Sequence, residues 1–136
     1  MIAVDASLAL ASLFEDERTP VVVAAFNSIA DRGAVVPALW KLEVANGLQV
    51  AIRRGRIDAA FRDAVLERLT ILPIEIDAET NSHAWTATLA IASRYGLTLY
   101  EAAYLELAQR RRLPLASLDD ALRAAAADAG VDVIGK

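Results

Sequence analysis

Four acidic residues stand where they could serve one reaction: Asp5, Glu43, Glu101 and Asp119. Each falls where a predicted strand gives way to a helix, or in the first turns of a helix. In an open parallel α/β sheet such junctions lie along one edge, and ligands bind there. Four carboxylates gathered on one edge repel one another unless a cation sits among them. A hard divalent ion such as Mg²⁺ takes oxygen ligands of this kind.

Each acid also has a purely structural explanation. Asp5, in Asp5-Ala6-Ser7, could cap the helix that follows it, and so could Asp119, with Ser117 as a rival cap. Glu101 makes a capping box with Thr98 in Thr98-Leu99-Tyr100-Glu101. Glu43 is harder to explain away. Its helix is apolar on most sides, and the spacing places Leu39, Leu42, Glu43, Asn46 and Val50 on one face. An ionised carboxylate on an apolar face is costly unless it is paired or bound to metal. Asn46, one turn on, is a candidate to orient it.

The elements that must position these acids alternate between strand and helix. Apolar runs predict strands over 1–4, 34–36, 72–76, 113–118 and 131–134. Between them the pattern predicts helices over 7–14, 20–32, 38–54, 58–69, 78–95, 98–112 and 119–129, with 15–18 as a polar loop. Thr19-Pro20 supplies a cap followed by proline at the first helical position, and Gly33, Gly96 and Gly130 act as stops. With no hairpin signals, the pattern predicts a single α/β domain with a central, mainly parallel sheet of four to five strands flanked by helices.

Composition removes several other chemistries. The chain has 136 residues, no cysteine and one histidine, His83. Zinc ribbons, thiol nucleophiles and disulfide scaffolds are therefore excluded. His83 lies in the helix over 78–95, away from the proposed edge, and reads as a partly exposed structural residue. The net charge of −4 argues against tight non-specific nucleic-acid binding, but it does not exclude a nuclease, whose metal site must itself be acidic. Arg53-Arg54-Gly55-Arg56 and Arg110-Arg111-Arg112 lie at helix C-termini, where the helix dipole favours arginine without any RNA contact. Trp40, Trp85, Tyr95, Tyr100 and Tyr104 read as core or interface residues, with Trp40 and Phe14 the candidates for a partner surface. A receiver domain would need a lysine after its last strand, but only Lys41 and Lys136 exist. No Gly-x-Gly-x-x-Gly or Walker sequence occurs. No run is long and apolar enough for a membrane span, and no signal peptide is evident, so a cytoplasmic protein is the expectation.

Taken together, four segments resemble a known signature. They are Asp5-Ala6-Ser7, Glu43-Val44-Ala45-Asn46, the stretch from Leu97 to Leu105 centred on Tyr100-Glu101-Ala102, and Leu115-Ala116-Ser117-Leu118-Asp119. In order and spacing they resemble PIN-domain ribonucleases, and within that superfamily the VapC-type toxins of bacterial toxin–antitoxin pairs. The resemblance implies a three-layer PIN-like fold and an acidic metal site of Asp5, Glu43, Glu101 and Asp119. Asp5, Glu101 and Asp119 would be the metal ligands, and Ser7 and Asn46 supporting polar groups. Asp119 is chosen over Asp120 because Leu122 then follows at the usual offset. One departure stands out: the family's third acid is normally aspartate, and here it is Glu101.

The implied activity is endoribonucleolytic, with Mg²⁺ (or Mn²⁺) as cofactor, RNA as substrate, a cognate antitoxin as partner and a homodimer as the assembly. Two rival readings remain: an RNA-processing PIN nuclease that is not a toxin, and a PIN-like binding module that has lost catalysis.

Overall fold

The computed structural model describes all residues, 1–136. Its centre is a five-stranded, entirely parallel sheet in the order β3-β2-β1-β4-β5, formed by Ile2–Val4 (β1), Ala34–Val36 (β2), Ile74–Ile76 (β3), Leu115–Ala116 (β4) and Val133–Ile134 (β5). The helices are Ala6–Leu13 (α1), Pro20–Arg32 (α2), Trp40–Arg53 (α3), Ala59–Thr70 (α4), Thr80–His83 (α5), Leu89–Tyr95 (α6), Leu99–Arg111 (α7) and Asp120–Asp128 (α8). They flank the sheet, giving the expected three-layer arrangement. No helix is long and apolar enough to cross a membrane.

Starting from β1, the chain builds outward to β2 and β3 on one side, then returns to place β4 and β5 on the other. The direction of winding therefore reverses between β1 and β4. The carboxyl ends of the strands flanking such a reversal leave a crevice between diverging connections. Asp5 follows β1 and Ser117-Leu118-Asp119 follows β4, so the reversal sets these residues side by side.

The strands beside this crevice are apolar and shielded on both faces. Ile2, Ala3, Val4, Ala34, Val35, Val36, Leu115 and Ala116 are all buried, as continuous apolar runs in a covered parallel sheet should be. β3 is different: its residues are partly exposed, because it is one of the two edge strands. α7 packs against β1 and β4, and its Tyr104, Leu105 and Ala108 belong to the central core.

The structure corrects three expectations. The predicted loop over 15–18 contains a 3₁₀ turn, Glu15–Glu17. The predicted helix over 78–95 begins only at Thr80 and passes through a π-helical stretch, Ala84–Thr88, before α6. At its start the Thr80 hydroxyl donates to the Asp77 carboxylate (3.0 Å) and accepts from the backbone of Ala38 (3.0 Å). Finally, Trp40 (4% exposed) and Phe14 (8%) are core residues and offer no partner surface. Trp85 (88%) and Tyr100 (66%) stand outside the core instead.

Candidate active site

Asp5 is the hub of the crevice. It caps α1 by accepting from Leu8 N (3.1 Å), and it accepts from two serine hydroxyls, Ser7 Oγ on Oδ1 (2.6 Å) and Ser117 Oγ on Oδ2 (2.5 Å). Each serine then accepts from the chain after β4: Leu118 N bonds Ser7 Oγ and Asp119 N bonds Ser117 Oγ, both at 3.1 Å. Two hydroxyls thus stitch the end of β1 to the end of β4, and Asp5 and Ser117 are both buried. Burial pushes the Asp5 carboxyl above its ordinary range. The Ser117, Ser7 and Leu8 donors oppose this rise, and the charge of Asp119 adds to it.

Asp119 caps α8, accepting from Leu122 N on Oδ2 (2.9 Å). Glu101 and Thr98 form the predicted capping box at the start of α7. Thr98 N donates to Glu101 Oε1 (3.0 Å), and Glu101 N donates to Thr98 Oγ1 (3.1 Å). The Thr98 backbone bond is the main reason Glu101 is held below the usual glutamate range. Burial works against it, while the Thr98 hydroxyl and an Asp119 carboxyl within hydrogen-bonding reach add to it. Capping and ligation therefore need not compete. Glu101 commits Oε1 to its cap and Asp119 commits Oδ2, which leaves one oxygen of each outside the cap.

Glu43 comes from the first turn of α3 and is half-buried. Its Oε1 accepts from the Tyr104 hydroxyl, across 61 positions of sequence. Burial pushes the Glu43 carboxyl up; the Tyr104 bond opposes this, and the charges of Asp5 and Glu101 add to it. The four acids therefore sense one another: Asp5 feels Asp119, Glu43 feels Asp5 and Glu101, and Glu101 meets Asp119. No lysine or arginine is among the groups acting on Asp5, Glu43 or Glu101.

Of the two supporting residues predicted, Ser7 is in place. Asn46 is not: it is exposed and makes no hydrogen bond to Glu43. The predicted apolar face around Glu43 also fails. Leu42 is 75% exposed, and the buried stripe of α3 is Trp40, Val44, Leu48 and Ala51. Two residues that complete the site were not singled out for it. Tyr104 lies three positions after Glu101, on the same face of α7, a spacing that could have drawn attention to it. Ser117 is a polar residue closing an apolar strand run, a position that usually needs a partner.

His83 is partly exposed, with Nδ1 3.9 Å from Glu106. Arg110 and Arg111 are tied into ion pairs with Asp77 and Glu75 (2.6 and 2.7 Å), and Arg56 with Asp16 (2.8 Å). A groove of about 460 Å³ between α1 and α3 runs from Ser7 and Leu118, beside the acids, to Arg54 and Arg56.

In donor chemistry the four acids suit a hard divalent cation: oxygen atoms only, like charges, and no resident counter-ion. As they stand, no three of these carboxylates form a ready-made metal-holding group.

Solved structures share this architecture. PAE2754 from Pyrobaculum aerophilum superposes with a TM-score of 0.68 at 24% identity, covering 91% of this chain and 83% of that one. FitAcB from Neisseria gonorrhoeae gives 0.67 at 18% identity, covering 98% and 96%. A toxin–antitoxin complex from Klebsiella pneumoniae gives 0.56 at 18% identity, covering 88% and 87%. No curated protein matches the chain. The PIN domain family model matches residues 2–128, nearly the whole chain, and the protein belongs to the PIN domain family.

Proposed function

We propose that the protein is a metal-dependent endoribonuclease of the VapC toxin type, held in check by a cognate antitoxin. One observation supports the nuclease reading: four carboxylates from four separate segments come within electrostatic reach of one another around the β1/β4 reversal, with no lysine or arginine acting on Asp5, Glu43 or Glu101. Such an arrangement stores repulsion that a bound cation relieves. PIN-family membership supports the reaction class, and the Klebsiella toxin–antitoxin neighbour supports the toxin reading.

Asp5, Glu101 and Asp119 would hold Mg²⁺ or Mn²⁺, with Glu43 beside them. A bound ion of this kind lowers the pKa of water and stabilises charge developing on a scissile phosphate. The chain's own residues do the positioning. Ser7, Ser117 and the Leu8 amide fix the Asp5 carboxylate so that it need not reorganise. The capping bonds pin one oxygen of Glu101 and one of Asp119 and leave the other oxygen of each outside the cap. The groove between α1 and α3 gives a single strand of RNA a path away from the acids towards Arg54. Exposed Leu42, Ile71 and Trp85 give apolar surface for an antitoxin and for a second copy of the chain. We place the protein's action in the cytoplasm, where its RNA substrate resides.

The test is cleavage of single-stranded RNA by the purified chain. EDTA should abolish it, and Mg²⁺ or Mn²⁺ should restore it. Cleavage undiminished in EDTA, from material free of contaminating nuclease, would overturn the mechanism. Co-expression with the small open reading frame adjoining the gene should relieve growth inhibition; growth that is never inhibited would favour an RNA-processing role.

A further inference from the structure

Three of the four acids are anchored locally, each by a backbone amide at the start of a helix. Asp5 has Leu8 N, Glu101 has Thr98 N and Asp119 has Leu122 N. Glu43 has no such bond. It lies within α3, already past the helix start, and its one hydrogen-bond partner is the hydroxyl of Tyr104 on α7. A glutamate on a half-exposed helix face, next to a Leu42 that points to solvent, has several rotamers open to it. Repulsion from Asp5 and Glu101 would drive it towards those that face water. Tyr104 opposes that drift from a fixed base. Its ring is 3% exposed within the central core.

We propose that Tyr104 is the positioning residue of the acidic site: by occupying Oε1 of Glu43 it holds that carboxylate among the other three and leaves Oε2 uncommitted. The inference rests on reading the acidic edge as a metal-dependent centre. Tyr104 itself carries out no chemistry and acts only through Glu43. Glu43 stands beside the three ligands, and disturbing such outer partners of a metal typically costs about ten- to a hundred-fold in affinity or activity.

The test uses Mn²⁺ alone, titrated into the purified chain without RNA and followed by electron paramagnetic resonance of the free ion. Tyr104→Phe keeps the ring and removes only the hydroxyl. It should leave the circular dichroism spectrum unchanged and weaken Mn²⁺ binding by between about ten- and a hundred-fold. In the Glu43→Gln background the same change should have little further effect, because the carboxylate it positions is gone. RNA turnover by Tyr104→Phe should recover towards the parent rate as Mn²⁺ is raised, which a packing defect would not do.

Unchanged Mn²⁺ affinity in Tyr104→Phe, or an equal loss in both backgrounds, overturns the proposal. If Tyr104→Phe melts far below the parent, Glu43→Asp replaces it. That variant leaves the core intact and withdraws the carboxylate from the hydroxyl, and parent-like Mn²⁺ binding there overturns the proposal equally. A parent chain that binds Mn²⁺ but cleaves no RNA defeats the nuclease reading alone. A parent chain that binds no Mn²⁺ defeats both.

Discussion

Carboxylates gather in two places on this molecule, one towards each end of α7, and the two clusters are built on opposite principles. Near the C-terminal end, Asp77 (3% exposed) and Glu106 (5%) surround Arg110. Its guanidinium grips Asp77 through two hydrogen bonds, of 2.6 and 3.2 Å, and Glu106 through two more, of 2.8 and 3.2 Å. Burial alone would raise the Asp77 carboxyl. The Arg110 bonds, with help from Thr80 and the Glu79 backbone, outweigh burial and pull it below the usual aspartate range. At the N-terminal end of α7, Asp5, Glu43, Glu101 and Asp119 meet with hydroxyl and amide donors but no cation. There Asp5 and Glu43 are pushed up. A carboxylate cluster that carries its own counter-ion is part of the fold. One that lacks it is held together by the rest of the fold against its own repulsion.

The sharpest way to break this distinction is to neutralise one member of each cluster. At the crevice, Asp5→Asn and Glu43→Gln keep the cap and the Tyr104 acceptor but delete a charge. Each should reduce RNA cleavage by more than about a hundred-fold, beyond what a positioning residue costs, while the melting temperature shifts by only a few degrees. Asp5→Ala is the wrong variant for this purpose, since it strips the α1 cap and orphans the Ser117 hydroxyl. At the other cluster, Arg110→Met leaves two buried carboxylates unpaired. Breaking a buried pair in this way costs about 3–5 kcal/mol, or roughly 10–17 °C in a domain of this size. Cleavage well below that melting point should persist. Thermal melts and initial rates on the same preparations check both halves, and an inactive but fully stable Arg110→Met would erase the contrast.

The crevice was more legible in the sequence than its supports were. Asp5, Glu101 and Asp119 each follow or open an element at a cap, a signal carried by neighbouring residues. Their caps are local, so short-range spacing was enough. Tyr104 and Ser117 act on partners 61 and 112 positions away. No periodicity encodes such pairings; they exist only once β1, β4 and α7 have packed. The face of α3 was misread for a related reason. A helix apolar on most sides admits more than one buried stripe at three-and-four spacing, and packing against the sheet selects Trp40, Val44, Leu48 and Ala51. The parallel sheet followed from alternation, but short apolar runs do not reveal the order of the strands or which of them lie at the edges. The π-helical stretch left no mark, because its residues, Ala84-Trp85-Thr86-Ala87-Thr88, include no glycine or proline to break an ordinary helix.

A smaller effect should separate the two uses of Glu101. Glutamine serves in a capping box as glutamate does, so Glu101→Gln should keep the start of α7 and melt close to the parent. Removing the charge should still weaken Mn²⁺ binding and slow cleavage by about ten-fold or more. Glu101→Asp, which restores the residue usual at this position in the family, should retain more activity than Glu101→Gln. Parent-rate cleavage by Glu101→Gln with unchanged metal dependence would make Glu101 a cap alone.

The smallest effect is also the most direct reading of stored repulsion. In EDTA, the raised carboxyls of Asp5 and Glu43 bind protons more readily in the folded chain than in the unfolded one. Stability from these two groups therefore falls as pH rises from the ordinary carboxylate range, near 4, through their folded values. Above those values the penalty is fully present. Asp77 runs the other way: its stabilisation is present above the unfolded value and is lost as pH falls through its lowered folded one. Glu43→Gln should consequently melt a few degrees above the parent at neutral pH in EDTA, and the gap should close towards pH 4. Adding Mg²⁺ at neutral pH should narrow or invert the gap, because the ion stabilises the fold that binds it better. Asp77→Asn should instead melt below the parent at neutral pH, with a deficit that shrinks on acidification and ignores Mg²⁺. Parallel melting curves for Glu43→Gln and the parent across this range, with and without Mg²⁺, would mean the crevice acids are no more strained than surface carboxylates, and the distinction between the two clusters would collapse.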